Sequence, residues 1–279
     1  MGSRNLVLLL DEFDVLDSNN NDSGFEEFFL YLRRIISQEK QLFIIPVIGR
    51  HLSDLPKLAL LFRRAPQHRI GLLDPLSAQR LIINPVIGLL QYDSKAIDKI
   101  ISISAGHPYF TQAICSALFV QARENNKTKV LAQDVAKAID DAIELSEAGL
   151  IWFREGLMIP EKVVFSAVAT SQEKAKQNNQ SRPEEALKLL KSFGVETDQL
   201  HSAKQNLSKN DFLDADGYKV TVEFVRRWLV KYYPLQSEIW ELENLESDAC
   251  DYFEKAKRWR HFSYQLSVIS YQYLCNKEA

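Results

Sequence analysis

Glycine and proline are scarce, 10 and 9 among 279 residues, which excludes collagen-like and low-complexity architectures and points to folded segments. There are only three cysteines, Cys115, Cys250 and Cys275, far apart, with no Cys-x-x-Cys spacing and no adjoining histidine. Odd in number and dispersed, they read as reduced thiols of an intracellular protein, and the five scattered histidines outline no zinc site. An excess of charge is missing too: 34 basic against 37 acidic side chains leave a net charge of −3. No overall field therefore draws the chain to nucleic acid or an anionic membrane, and any such binding must be local. Long apolar runs are absent, none approaching the roughly 20 residues that span a bilayer. The start, MGSRNLVLLL, has a short apolar run that ends in acids, below the roughly seven to fifteen residues of a signal-peptide core. Leu6 also breaks the myristoylation pattern. The cytoplasm is the expected compartment, with no membrane partner.

What is present is a globular composition, 46% hydrophobic and 25% charged. Up to residue 75, short aliphatic runs alternate with an amphipathic helix: Leu6 to Leu10, a helix from Phe25 to Ile36, "LFIIPVIG" at 42–49 and "HRIGLL" at 68–73. This pattern predicts a parallel sheet. The helix has a start signal in Ser23 and Glu26, a capping box. Residues 76–148 read as helices only, at Ser77–Ile83, Ser94–Ser104, Pro108–Arg123 and Ala132–Glu144. Residues 149–234 give helices near 160–170, 183–193 (with Ser181 and Glu184 as a second capping box) and 198–208, then "NDFLDADGYKVTV", a hairpin signal. Three helices and a hairpin predict a winged helix. "SQEKAKQNNQSRPEE" at 171–185 reads as a polar loop. The tail, 235–279, carries an aromatic-rich, largely helical pattern from Trp240 to Ile269 that suits a linker helix or a self-association surface. The expected fold class is α/β with all-α and winged-helix parts.

The strand Leu6–Leu10 ends on adjacent acids, Asp11 and Glu12, with Asp14 beyond. Acids that merely solvate a turn are common. In open parallel sheets, however, ligands bind outside the carboxyl ends of the strands. A nucleoside triphosphate site needs one carboxylate to position Mg²⁺ through its water shell and another to orient the attacking water. A hydrophobic strand ending in Asp-Glu is the Walker B pattern, and "LFIIPVIGR" places Arg50 at the end of the next strand, either as a solvent-facing arginine or as a sensor of the γ-phosphate.

Downstream, "SAGHPYFTQAIC" at 104–115 joins a glycine that ends one helix to a proline that begins the next. With the strand ending in Asp-Glu, "LLDPLSAQRLIINPV" and "VEFVRRWLVKYY", it resembles the STAND branch of the AAA-type P-loop ATPases, over about residues 5–233 and in the Gly-His-Pro-Tyr form of bacterial and archaeal members. The resemblance implies a partial nucleotide-binding core at 1–75, a helical lid at 76–148, a winged helix at 149–234 and a helical tail at 235–279. It further implies Asp11 in the magnesium role, Glu12 and Arg50 as catalytic residues, and Gly106, His107, Pro108 and Tyr109 beside the nucleotide, the proline packing near adenine. ATP or ADP and Mg²⁺ are the implied cofactors, and a signal-transduction switch acting on protein partners the implied function. His107 alternatively caps its helix.

One part of that pattern is missing. No Gly-x-x-x-x-Gly-Lys-[Ser/Thr] occurs, and the phosphate-cradling strand and loop that precede the Walker B strand in the family have no counterpart. The expectation is an amino-terminally truncated or split ATPase core, whose missing P-loop segment is supplied by an upstream polypeptide and whose activity alone is weak or absent. The rival reading is a non-catalytic winged-helix module for protein or DNA binding. Lys204 and Lys209 against Asp198 make a thin basic face for a DNA groove. Arg226, Arg227 and Lys231 are expected on a solvated face or at a phosphate or interdomain contact, with Phe224, Val225, Trp228 and Leu229 facing the core.

Overall fold

The two aliphatic runs pair first: Leu6–Leu10 forms β1, Leu42–Pro46 forms β2, and they lie in parallel with Leu6 opposite Leu42 and Leu10 opposite Pro46. A parallel pair needs a crossover, which helix α1, Ser23–Gln38, supplies. The structure, a computed structural model, describes residues 5–17, 23–49, 52, 55–62, 64–198 and 200–244, with the side chains of residues 23–25 outside the description. The Ser23 cap and much of the aromatic tail, including Cys250 and Cys275, lie outside it. Phe29 and Leu32 of α1 join Phe13, Leu55, Leu58 and Phe62 in a small core, the last two on helix α2, Pro56–Phe62. Alternation along β2 half-buries Leu42, Ile44 and Pro46 and leaves Phe43 and Ile45 exposed beside Val7 and Leu9. Parallel sheets are normally covered on both faces; among the described residues the face of Val7, Leu9, Phe43 and Ile45 is open, and Leu6 and Leu8 on the other face are exposed too.

The run at 68–73, expected as a third strand, is extended coil, with Ile70 92% exposed. A strand needs a paired neighbour, and this segment makes one backbone bond of that kind, from Leu73 N to Gly106 O at 3.0 Å. Arg69 ties it down instead, its guanidinium 2.7 Å from Asp211 and 3.2 Å from the Lys209 carbonyl.

A second, larger core draws on residues from Ile82 to Ile239. It begins with α3 (Pro75–Ile83), α4 (Ser94–Ser104), α5 (Pro108–Glu124) and α6 (Ala132–Leu145). Asp74 caps α3 by accepting from the backbone of Leu76 and Ser77, and Asp93 caps α4. The region is not purely helical: Gln91–Tyr92 (β3) pairs in parallel with Lys129–Val130 (β4). Two residues per strand is too short for a periodicity to register in sequence.

Helix α7 (Glu147–Glu155) leads to α8 (Ile159–Gln177), α9 (Ala186–Ser192), α10 (Leu200–Lys209), α11 (Glu223–Tyr232) and α12 (Leu235–Asn244). Two expectations need correcting. Residues 171–177 of the supposed polar loop are helix, because the buried side of α8 there uses Ser171, Gln172 and Ala175 rather than large apolar residues. Helix α9 starts at Ala186, and its cap is Glu185, whose carboxylate takes the Lys188 N–H at 2.9 Å, not the Ser181–Glu184 pair. The hairpin is a single antiparallel bridge, Leu213 to Val220, closed by a turn in which Asp214 accepts from Tyr218 and Lys219 and Gly217 holds a φ of 68°. Among the described residues the fold is thus mostly helical α/β with two small parallel sheets. Among the described residues no helix is long and apolar enough to cross a membrane.

Candidate functional site

Both acids sit where their strand ends, at the carboxyl edge of the parallel pair. Asp11 is exposed and Glu12 half-buried. Asp11 Oδ1 accepts the Glu12 N–H at 3.0 Å, which folds the carboxylate back over the turn. Glu12 adopts a left-handed backbone, φ 51°. For a side chain with a Cβ that conformation costs roughly 1–2 kcal/mol, and such strain gathers where a side chain is aimed rather than merely accommodated. The turn is held from both sides: Val47 N donates to Leu10 O at 2.8 Å, and Phe13 N donates to Val47 O at 3.0 Å. The two strand ends are therefore tied together.

The other two acids of the segment are structural. Asp14 is buried and its Oδ1 accepts the Gly49 N–H at 3.3 Å, tying the end of β1 to the end of β2. Asp17, also buried, accepts the Leu58 N–H at 2.9 Å and satisfies the first turn of α2. Sequence reasoning gave Asp14 no role and passed over Asp17; their signal is only their place after the strand. Arg50, one residue beyond Gly49, lies outside the described residues.

Gly106 to Tyr109 form the hinge between α4 and α5. Ala105 and Gly106 are consecutive left-handed residues, φ 52° and 72°. A Cβ on Gly106 would stand 2.5 Å from the Leu73 carbonyl oxygen, so only glycine lets the 73–74 backbone come this close. Beneath the hinge, the fully buried Ser104 Oγ accepts from Thr111 Oγ1 at 2.9 Å and from Gly106 N at 3.2 Å. Neither Ser104 nor Thr111 was anticipated; a serine three residues before His-Pro was the available cue. Pro108 opens α5 without an N–H to leave unpaired. Tyr109 turns toward α7: burial raises its pKa, a hydrogen bond with the Ser146 side chain opposes the rise, and its hydroxyl fills the space above Gly149.

His107 occupies the N-cap position of α5, yet its side chain makes no cap hydrogen bond. The ring packs instead on Phe110, centroids 4.6 Å apart, with Nδ1 buried. Burial lowers its pKa to about 4, so the imidazole is neutral near pH 7. Burial also pushes the Cys115 thiol up to about 12, leaving it protonated and unreactive.

Asp11 and Glu12 lie between Leu10 and Phe13 of the small core, whereas Tyr109 packs on the large one, and the segment that ends at Leu73 bonds Gly106. Among the described residues no group of three or more His, Cys, Asp or Glu could hold a metal ion directly. A lone exposed carboxylate fits a magnesium ion bound through water, as a nucleotide-borne ion is, and fits no dedicated cation cage.

The basic residues are largely committed. Lys204 Nζ lies 2.6 Å from Glu185 and over the Tyr218 ring. The Arg226, Arg227 and Lys231 cluster is not simply a solvated face. Arg226 is 4% exposed, held by Glu223 at 2.7 Å and by Glu173 of α8; Arg227 pairs with Glu223 and Lys231 with Asp140. Phe224, Val225, Trp228 and Leu229 are buried as expected.

No protein-family model matches the sequence, and neither a curated protein nor a solved structure does.

Proposed function

We infer that this chain carries part of a STAND-like, AAA-type ATP-binding switch. The observation that supports this most is the pair Asp11 and Glu12 at the carboxyl end of a parallel strand, with Glu12 in a strained conformation. In this reading the parallel pair is a fragment of a P-loop sheet, residues 76–148 are its lid, and the helices from α8 to α11 with the 213–220 bridge are a winged helix. Asp11 would hold the water shell of Mg²⁺, which when bound neutralises charge on the nucleotide phosphates. Glu12 would orient water, Arg50 would sense the γ-phosphate, and Gly106 to Tyr109 would form the wall at the base. The neutral His107 suits an uncharged purine better than a phosphate. A partner polypeptide carrying the phosphate-cradling loop would complete the site, and exchange of ATP for ADP would move lid and winged helix against the sheet to present a surface to protein partners or a second copy.

DNA binding is the weaker reading, because Lys204, one of the two basic residues assigned to a reader helix, is paired with Glu185. Titration of the ¹⁵N-labelled chain with Mg²⁺–ADP at millimolar concentration separates the possibilities. Shifts in the amides of Asp11, Glu12 and Gly106 to Phe110 that vanish in Asp11→Asn are expected. No shift at either place would refute the nucleotide site, and micromolar affinity without a phosphate loop would refute the assignment to a split core.

A further inference from the structure

Helices α5 and α6 enclose an open groove of about 380 Å³. Its floor is apolar: Ala117 is buried, whereas Val120 and Leu145 are 48% and 64% exposed, a large surface for single aliphatic side chains. Its rim is acidic, with Glu124 from α5 and Asp141 and Glu144 from α6, and none of the residues lining it is basic. Gln121 donates to Asp141 Oδ2 at 2.6 Å, which fixes that carboxylate across the two helices. The volume is at the low end of the roughly 300–1,000 Å³ of ligand-sized clefts and leaves room for an indole. An apolar floor with a carboxylate rim suits an aromatic side chain flanked by cations, and Trp and Arg are among the residues enriched at interface hot spots.

The chain itself contains such a segment. Residues 255–260 read KAKRWR: Trp259 sits among Lys255, Lys257, Arg258 and Arg260. These residues lie beyond the described part of the chain. We propose that the segment around Trp259 docks in the α5–α6 groove of its own chain, with the indole over Val120 and Leu145 and the cations on Glu124, Asp141 and Glu144. This inference stands apart from the nucleotide reading, since it uses none of that site's residues.

Reach favours an intramolecular contact. Helix α12 is fixed to α7 by Arg154, which bonds Glu238 at 2.5 Å and approaches Glu241 at 3.5 Å. Leu145, at the groove, ends α6, and Arg154 lies nine residues further on in α7, at most about 30 Å away along the chain and less where it is helical. The connection 245–254 covers up to about 35 Å when extended, so the tail can return to the groove. Tethering supplies an effective concentration of about millimolar, so individually weak surface ion pairs suffice. The connection carries Glu246, Asp248, Asp251 and Glu254, which the acidic rim repels, so register along the tail is set by the switch in sign at Lys255.

The test uses the full 279-residue chain with photoreactive benzoylphenylalanine at position 259, irradiated in dilute solution and mapped by peptide mass spectrometry. Cross-links within one chain to residues 117–124 or 141–145 are expected. They should be lost in Asp141→Lys/Glu144→Lys, lost at high salt, and lost again in Lys257→Glu/Arg258→Glu/Arg260→Glu, which leaves the packed helices untouched. Combining the two sets should restore them. Cross-links to the open face of Val7, Leu9, Phe43 and Ile45, covalent dimers, a yield indifferent to charge reversal, or no cross-link at all would each overturn the proposal.

Discussion

Replacing Gly106 by alanine tests whether the hinge between α4 and α5 exists to admit the backbone at Leu73. Two costs add. The left-handed φ of 72° strains any residue with a Cβ by roughly 1–2 kcal/mol. The new methyl would also stand 2.5 Å from a carbonyl oxygen that belongs to backbone and cannot swing aside. Relieving that contact displaces the segment leading into α3 and loosens the 3.0 Å bond from Leu73 N to Gly106 O, adding about 1–3 kcal/mol by analogy with overpacked cores. Gly194 is the internal control: its φ is 83° and nothing lies within 4 Å of its virtual Cβ, so Gly194→Ala carries the first cost alone. Urea unfolding followed by tryptophan emission reports the larger core directly, since Trp228 is buried within it. With slopes of about 1–3 kcal/mol per molar, the midpoint of Gly106→Ala should fall below that of Gly194→Ala by about 1 M. Equal midpoints would show that the approach of residue 73 is incidental and that Gly106 is only a helix terminator.

Arg226→Leu should destabilise the chain by about 1.5–3 kcal/mol, because it removes the buried guanidinium's hydrogen bonds to Glu173 and Glu223 while Glu223 keeps Lys176 and Arg227; denaturant unfolding checks it, and a change under about 0.5 kcal/mol would return the cluster to a solvated face. Glu223 gives an acid dependence. Burial, the largest single influence, raises its pKa, but hydrogen bonds and charge from Arg226 and Lys176 together bring it down to about 2. Its folded value is therefore depressed, so its stabilisation is complete above about pH 4.5 and is lost as pH falls toward 2; the acid limb of a stability–pH curve should flatten in Glu223→Gln. His107 acts over a higher window. With burial holding it near 4 in the folded state, the unfolded chain binds the extra proton between about pH 6.5 and 4, so stability is lost as pH drops through that range and regained as it rises. His107→Phe should remove that slope, and an NMR titration placing the imidazole near 6.5 would contradict its burial.

The sheet pair was legible because continuous aliphatic runs have few alternatives: Leu6–Leu10 and Leu42–Pro46 must bury backbone hydrogen bonds against each other. The same rule misread "HRIGLL", since an apolar run becomes a strand only where a neighbour offers its edge, and that neighbour is a long-range fact. Polarity misled in the opposite direction at α8. Its buried side there is built from Ser171, Gln172 and Ala175, and Gln172 is spent on the Val220 N–H 48 positions away. Charge patterning failed at Arg226 for the same reason. The residues that neutralise it include Glu173, on another helix, so the default of a solvated cation could not be revised from local sequence.

The candidate site divides along this line. Its acids and its Gly-His-Pro-Tyr turn are local features and could be read directly. What gives them structural meaning is non-local: Asp14 on Gly49, Asp17 on Leu58, and Leu73 on Gly106 are each a backbone group satisfied by a distant partner. These contacts explain why the segment 11–17 carries four carboxylates when the proposed chemistry uses two. Asp14 and Asp17 are buried because each completes a strand or helix end. Asp11 is exposed and Glu12 half-buried, and Glu12 turns the chain from β1 into the 13–17 segment with a left-handed φ of 51°, its carbonyl accepting the Val15 N–H at 3.1 Å. The burial of Asp14 and Asp17 thus has a structural reason that the strand-end pattern alone does not supply, and only the less buried pair, Asp11 and Glu12, is left for the proposed chemistry.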